Sequence, residues 1–181
     1  MWEISCYIKC SVIINVKYWI ATILLQLSLK GNIIMNRDSI LDRIKNIIDS
    51  CFGYNFVFLQ SFIDDLVNLL LNDANGDESS VLRIITKQLF FLKNLGRKIN
   101  QADSNEYLKH VEELDLYSIH VKNRTVNFRF LITFHKDEAI FLSAFNEKSG
   151  KKKTSYQPFI ELAINRYNSY LENGDGGDVK Q

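Results

Sequence analysis

The 181-residue sequence has few of the residues that build disulfide frameworks, metal centres and familiar catalytic motifs. Its three cysteines, Cys6, Cys10 and Cys51, form no even disulfide set and no CxxC pair, which indicates reduced thiols and a cytoplasmic protein. The three histidines are dispersed, without an HExxH motif, so neither a metal site nor a cofactor is expected. No glycine-rich phosphate loop, GxSxG elbow or acid pair occurs, which disfavours nucleotide hydrolysis and triad chemistry.

The composition is that of an ordinary soluble globular protein, with 46% hydrophobic and 24% charged residues. The length fits one domain, or one domain with an extension. The net charge of +1 hides an uneven distribution. Residues 116–171 carry nine Lys and Arg against four Asp and Glu, whereas residues 52–115 carry six against ten. The basic C-terminal half suits a phosphate-rich partner.

Residues 1–34 form an apolar extension for which three interpretations exist. Its segment 11–29 carries Asn15 and Lys17, whereas a bilayer span needs about 20 apolar residues and a central lysine costs about 3 kcal/mol. A signal peptide would need a small-residue cleavage site, and none follows Leu29. We favour a translation start at Met35 over a membrane anchor, because the codons of the preceding Lys-Gly pair can resemble a ribosome-binding site.

The remaining chain predicts a mixture of helices and strands. Helical periodicity predicts a first helix over 36–50, within a lead-in segment of 35–51, further helices over 61–71 and 78–95, and a last helix that begins near Pro158. An aromatic run predicts a first strand within 52–59. Ser61 is expected to cap the second helix, and Gly96 to end the third. Residues 98–113 are expected to be irregular, and residues 173–181 to form a frayed tail.

The segment 115–145 predicts three antiparallel strands joined by short turns. Apolar side chains occupy alternate positions in its middle strand: Val126, Phe128, Phe130, Ile132 and Phe134. Such alternation predicts a sheet with one buried face, which the helical hairpin would cover. Arg129 then lies in mid-strand on the opposite face, either solvated or facing something functional. The fold class is therefore α+β, with an N-terminal helical hairpin on a mostly antiparallel sheet and a C-terminal helix.

A group of cations is predicted to share the polar face of this sheet. His120 and Lys122 are two residues apart on one strand, and pairing across the next turn places Arg129 of the neighbouring strand on the same side of the sheet. Further cations follow the third strand: Lys148, Lys151, Lys152 and Lys153. Such a group can hold a phosphodiester, and His120 can move a proton near neutral pH. The alternative is a solvated basic face or a docking surface for an acidic partner.

Five short phrases occur in an order that resembles a known family. They are FLKNLG at 91–96, LYSIHV at 116–121, NFRFL at 127–131, AFNEKS at 144–149 and IELAINR at 160–166. The pattern resembles the RelE/HigB-type toxins of type II toxin–antitoxin systems, particularly their phage-derived HigB-like branch. The resemblance predicts a toxin domain over residues 52–172 with a RelE/ParE-like fold.

The resemblance also implies an activity, that of a ribosome-dependent mRNA endonuclease that inhibits translation without a metal. In that family the substrate's 2′-hydroxyl attacks the adjacent phosphate. Arg129 matches the arginine at the scissile phosphate, His120 and Lys122 match basic positions on the preceding strand, and Lys148 matches the basic residue after the last strand. Tyr156 matches a tyrosine that stacks on a base. The expected partners are mRNA, the ribosome and an antitoxin with a helix-turn-helix DNA-binding fold.

The sequence departs from the family at three positions. Ser118 and His120 stand where the usual phrase has Glu and Arg, and Glu147 stands where a lysine is frequent. A weakened or inactive toxin is therefore one alternative. Another is a binding protein on the same scaffold, either a gyrase poison like the related ParE branch or an antitoxin-binding protein without catalysis.

Overall fold

The computed structural model describes residues 36–51, 53–102, 105–111, 114–148 and 154–173, all within one compact unit. Over these ranges the helices are α1 (Arg37–Ser50), α2 (Gln60–Asp73), α3 (Glu78–Leu95) and α4 (Gln157–Glu172). The strands are β1 (Phe56–Phe58), β2 (Glu106–Val111), β3 (Leu114–Lys122), β4 (Asn127–His135) and β5 (Glu138–Asn146). A 3₁₀ helix, Gly96–Gln101, follows α3. The predicted extension 1–34 and all but the first residue of the predicted tail lie outside the described residues.

The five strands form one mixed sheet in the order β1-β5-β4-β3-β2. Strand β1 runs parallel to β5, and the other neighbours are antiparallel. The pairing of β4 with β5 shifts between Leu131 and Ile132, where β5 carries an extra residue. The prediction of an α+β fold with a mostly antiparallel sheet is confirmed.

One face of the sheet is covered by the helical hairpin, as the sequence predicted. Helix α2 packs on β5 and helix α3 on β3. The ring of Phe62 in α2 lies 5.2 Å, centroid to centroid, from those of both Phe130 and Phe141. Helix α1 adds a second layer by burying Ile40, Ile44 and Ile47.

The opposite face is also buried, so the prediction of a single buried face is wrong. Helix α4 places Ala163 and Ile164 in a second apolar cluster with Leu116 and Leu131 of the sheet. Its apolar stripe was visible in the sequence, but the surface that it covers depends on tertiary packing. The face that carries Arg129 is therefore shared between this cluster and polar residues.

Two local predictions need correction. The segment expected to be irregular over 98–113 contains strand β2, which pairs with β3 through Glu106–Ser118 and Tyr107–Tyr117. Helix α2 begins at Gln60 after Leu59, and no side chain caps it, so Ser61 lies inside the helix and is not its cap. No described helix combines the length and apolarity needed to cross a bilayer.

Candidate functional site

His120 and Arg129 lie directly opposite each other on neighbouring strands. Their Cα atoms are partners in the antiparallel ladder between β3 and β4, and Arg129 is in turn the partner of Phe145 on β5. Side chains of directly opposed residues in such a ladder lie on the same face. The prediction that the imidazole and the guanidinium share one face of the sheet is therefore confirmed.

The guanidinium of Arg129 is buried and bound by two carboxylates. Its Nε donates a hydrogen bond of 2.8 Å to Oε2 of Glu147, and its Nη2 lies 3.5 Å from Oε1 of Glu106. Only 6% of the residue is exposed, and the ring of its strand partner Phe145 stacks on that of Phe159 in α4. The expected open basic hollow is thus absent at Arg129, where two anions already neutralise the cation.

Three buried polar atoms around this strand have no hydrogen-bond partner. They are Nη1 of Arg129 and the hydroxyl oxygens of Ser118 and Ser143. Both serines are ladder partners of Leu131, two residues from Arg129, so the three groups belong to one face of the sheet. An unpaired buried polar group costs about 1–3 kcal/mol, so these atoms are where binding of a further polar group would stabilise the fold.

Glu147 is the acceptor that joins the polar groups of this face. Besides Arg129, it receives a 3.3 Å hydrogen bond from Nδ2 of Asn127 and another from the hydroxyl of Tyr156. Burial acts to raise the pKa of Glu147, but the hydrogen bonds from Arg129 and Tyr156 and the guanidinium charge hold that pKa below its usual value. The side chain is therefore an anion at neutral pH.

Tyr156 lies just before α4 and contacts both Phe145 and Glu147 at the site. Its ring meets that of Phe145 edge-on at 5.1 Å, and its hydroxyl donates to Glu147. Burial and the neighbouring carboxylate raise the pKa of Tyr156 far above its usual value, against the opposing effect of Arg129. The phenol is thus a fixed donor and not a proton acceptor at cellular pH.

His120 is half-buried and is held at its ring by Asn127. Its Nε2 lies within hydrogen-bond distance of Oδ1 of Asn127. Burial lowers the pKa of His120, and the charges of Arg129 and Lys122 lower it further, against the opposing effects of Asn127 and Glu147. The imidazole is therefore neutral at pH 7.

The main chain of His120 is fixed by two buried amide side chains. Asn105 accepts a 2.6 Å hydrogen bond from the His120 amide and donates one of 2.9 Å to Gln88 of α3. Gln88 in turn donates 3.0 Å to the His120 carbonyl. Beyond the end of the β2–β3 ladder, these side-chain hydrogen bonds take the place of main-chain pairing. They also connect α3 to the strand that carries His120.

The other predicted site residues are only partly gathered here. Lys122 is exposed and lies two residues beyond His120 on the same face. Lys148 is exposed beside a groove of about 500 Å³ between α2 and the end of β5, which Asp65 and Asn68 also line. The lysine run 151–153 lies outside the described residues.

No protein-family model, curated protein or solved structure matches this chain. Among the described residues, no group of three His, Cys, Asp or Glu side chains could hold a metal ion. The sequence did not indicate that Glu106 binds Arg129, or that Asn127 and Asn105 bind His120. Glu147 was noticed in the sequence, but only because it departs from the family phrase.

The arrangement combines a neutral imidazole, a fixed phenol donor and a guanidinium held by carboxylates. The imidazole can accept a proton, since its lowered pKa keeps it uncharged. Lys122 is exposed on the same face and contributes a positive charge. On Nη2 of the guanidinium, an incoming anion would have to displace Glu106, which is the more distant and more exposed of the two carboxylate partners.

Proposed function

We propose that the chain is a ribosome-dependent mRNA endonuclease with a RelE/ParE-like fold, the RelE/HigB-type toxin of a type II toxin–antitoxin pair. The observation that carries the proposal is the pairing of His120 with Arg129 across neighbouring strands. A proton acceptor beside cations is what cleavage by a substrate 2′-hydroxyl requires when no metal takes part. A helical hairpin followed by antiparallel strands and a terminal helix adds support through the order of elements.

In this proposal, His120 takes the proton of the 2′-hydroxyl while that oxygen attacks the adjacent phosphorus. The bond from O2′ to phosphorus forms, the bond from phosphorus to O5′ breaks, and the leaving oxygen takes a proton from solvent. The products carry a 2′,3′-cyclic phosphate and a 5′-hydroxyl. Lys122 neutralises charge on the phosphoryl oxygens, since it is exposed on the same face.

Arg129 enters the reaction by exchanging partners. Glu106 is 48% exposed in its side chain and lies 3.5 Å away, so a phosphate can take its place on Nη2 while Glu147 keeps Nε. Lys148 and the following lysines bind the RNA strand, and Tyr156 contributes its partly exposed ring. The ribosome supplies the alignment that this site, with few acid–base groups, lacks. A helix-turn-helix antitoxin normally silences the protein.

A second candidate is a binding protein without catalysis, either a gyrase poison of the ParE kind or an antitoxin-binding scaffold. The observation in its favour is the burial of the Arg129 guanidinium between carboxylates. A cation so neutralised contributes little to binding a phosphodiester unless Glu106 moves. The two candidates differ in the nucleic acid that is damaged when the protein is produced.

The test is induction of the full chain in cells, followed by mapping of RNA ends and of DNA breaks. His120→Gln removes the proton acceptor, and His135→Gln is its matched control, because His135 is a partly buried strand histidine that bonds to Tyr167 instead. We expect new termini in translated messages for the wild type and the control, and about 10²-fold fewer for His120→Gln. Broken DNA without new RNA termini would support the gyrase poison.

A further inference from the structure

Asn127 is the one side chain that contacts both the imidazole of His120 and the carboxylate of Glu147 in the hydrogen bonds described above. It occupies the first position of β4, where its Cα partner is Lys122. Its Oδ1 faces Nε2 of His120. Its Nδ2 donates to the Glu147 main-chain oxygen at 3.0 Å and to the Glu147 carboxylate at 3.3 Å.

The hydrogen-bond partners of the Asn127 amide determine which of its two ends is oxygen and which is nitrogen. Rotating the amide by half a turn would set Oδ1 against two oxygens of Glu147, which are acceptors only, and would replace two hydrogen bonds by repulsion between acceptors. The NH₂ group must therefore face Glu147, and the amide oxygen must face the imidazole. An amide oxygen only accepts, so Nε2 of His120 must carry the proton.

We propose that Asn127 is a positioning residue that selects the Nε2–H tautomer of His120 and leaves the lone pair on Nδ1 as the proton acceptor of the site. Glu147 orients Asn127, and so connects the guanidinium on β4 with the imidazole on β3. The role of Nδ1 in RNA cleavage rests on the proposed function, but the tautomer is a property of the folded chain alone.

The charged groups around His120 do not reverse this assignment. Arg129 and Lys122 both oppose a second proton on the ring, and Glu147 favours one. Glu106 is engaged with the guanidinium from β2, and Tyr156 donates its proton to Glu147 from the start of α4. Nothing among these described groups accepts a hydrogen bond from Nδ1, whereas Nε2 has its acceptor in Asn127.

The experiment is ¹⁵N NMR of the full chain with labelled histidine, at pH 8 where neutral rings dominate. Wild-type His120 is expected in a single Nε2–H tautomer, assigned by loss of its signal in His120→Gln. Asn127→Leu should give a mixture of both tautomers. Asn127→Asp should keep the Nε2–H form, because a carboxylate also accepts, and should shift the titration of His120 to higher pH. Asn146→Leu is the matched control, since Asn146 is a half-buried asparagine at the same sheet end on the opposite face.

The outcomes separate this inference from the proposed function. An Nδ1–H tautomer in the wild type, or no change in Asn127→Leu, would overturn the assignment whether or not the protein cleaves RNA. If the tautomer is as stated and RNA is cleaved, Asn127→Leu should lower kcat about tenfold or more at unchanged KM, and Asn127→Asp should recover part of the loss. A wild type with the expected tautomer but no cleavage would refute the nuclease and leave the tautomer assignment standing.

Discussion

Glu147 should contribute far more to the stability of this fold than Glu106, although both bind the same guanidinium. Replacing Glu147 by alanine leaves the Arg129 charge with one carboxylate, 3.5 Å away and 48% exposed. The lost partner sits at 2.8 Å, and the two side chains of that pair are only 7% and 17% exposed. Glu147→Ala therefore leaves the buried guanidinium of Arg129 without its closer carboxylate, whereas Glu106→Ala removes a half-exposed and more distant contact.

The expected magnitudes follow from this difference in burial. Breaking a buried ion pair from one side costs about 3–5 kcal/mol, and the remaining Glu106 should hold the loss for Glu147→Ala near about 3 kcal/mol. Exposed pairs contribute about 0.2–1 kcal/mol, so Glu106→Ala should cost less than about 1 kcal/mol. The double variant Arg129→Met with Glu147→Leu removes both buried charges and should be more stable than Glu147→Ala.

Urea unfolding at pH 7, followed by circular dichroism, measures these free energies from the midpoint and slope. The slopes should be equal among the variants, so that the midpoints alone report stability. Equal losses for Glu147→Ala and Glu106→Ala, or a double variant less stable than Glu147→Ala, would refute the burial of this ion pair.

Three further outcomes are expected. Folding lowers the pKa of His120 from 6.5, so at mildly acidic pH the unfolded chain binds a proton at this residue more readily than the folded chain does. The free energy of unfolding should therefore be unaffected by His120 above about pH 6.5 and should decrease as the pH falls below that value. Urea midpoints in His120→Gln should show a smaller decrease between pH 6.5 and 5 than in the wild type, and an equal decrease would contradict the shift. Asn105→Ala should cost about 1–3 kcal/mol in urea unfolding, because the buried Asn105 side chain is hydrogen-bonded to both His120 and Gln88; a loss under about 0.5 kcal/mol would contradict that role. Asn36→Ala should cost about 1 kcal/mol, since its side chain caps α1 at the amide of Ser39, and an unchanged midpoint would exclude the cap.

The regular parts of the fold could be predicted because local periodicity determines them. Helix α3 begins and ends where its apolar stripe and Gly96 indicated, and Pro158 lies in the first turn of α4. The alternation around Phe130 indicated which residues of β4 share a face, so the shared face of His120 and Arg129 followed from a two-residue period. Their direct pairing depends on the register between β3 and β4, which the sequence pattern did not specify. These features depend on neighbours within a few residues.

The partners of the site could not be predicted, because they come from distant parts of the chain. Strand β2 has no apolar alternation of its own and is held by its ladder with β3, so the sequence alone gave no sign of Glu106 beside Arg129. Glu147 appeared only as an exception to a motif, and its position beside the guanidinium depends on how β5 aligns with β4. The burial of Arg129 likewise depends on tertiary packing that a sequence pattern cannot encode.

The chemistry of the RNA ends tests the central claim most directly. Purified full-length chain would be incubated with ribosomes translating a defined message, and both termini at each cut would be identified. Attack by the substrate's own 2′-hydroxyl predicts a 2′,3′-cyclic phosphate, or the 3′-phosphate formed from it by hydrolysis, opposite a 5′-hydroxyl, with about 10²-fold fewer cuts by His120→Gln. A 3′-hydroxyl opposite a 5′-phosphate, or intact messages, would contradict the claim.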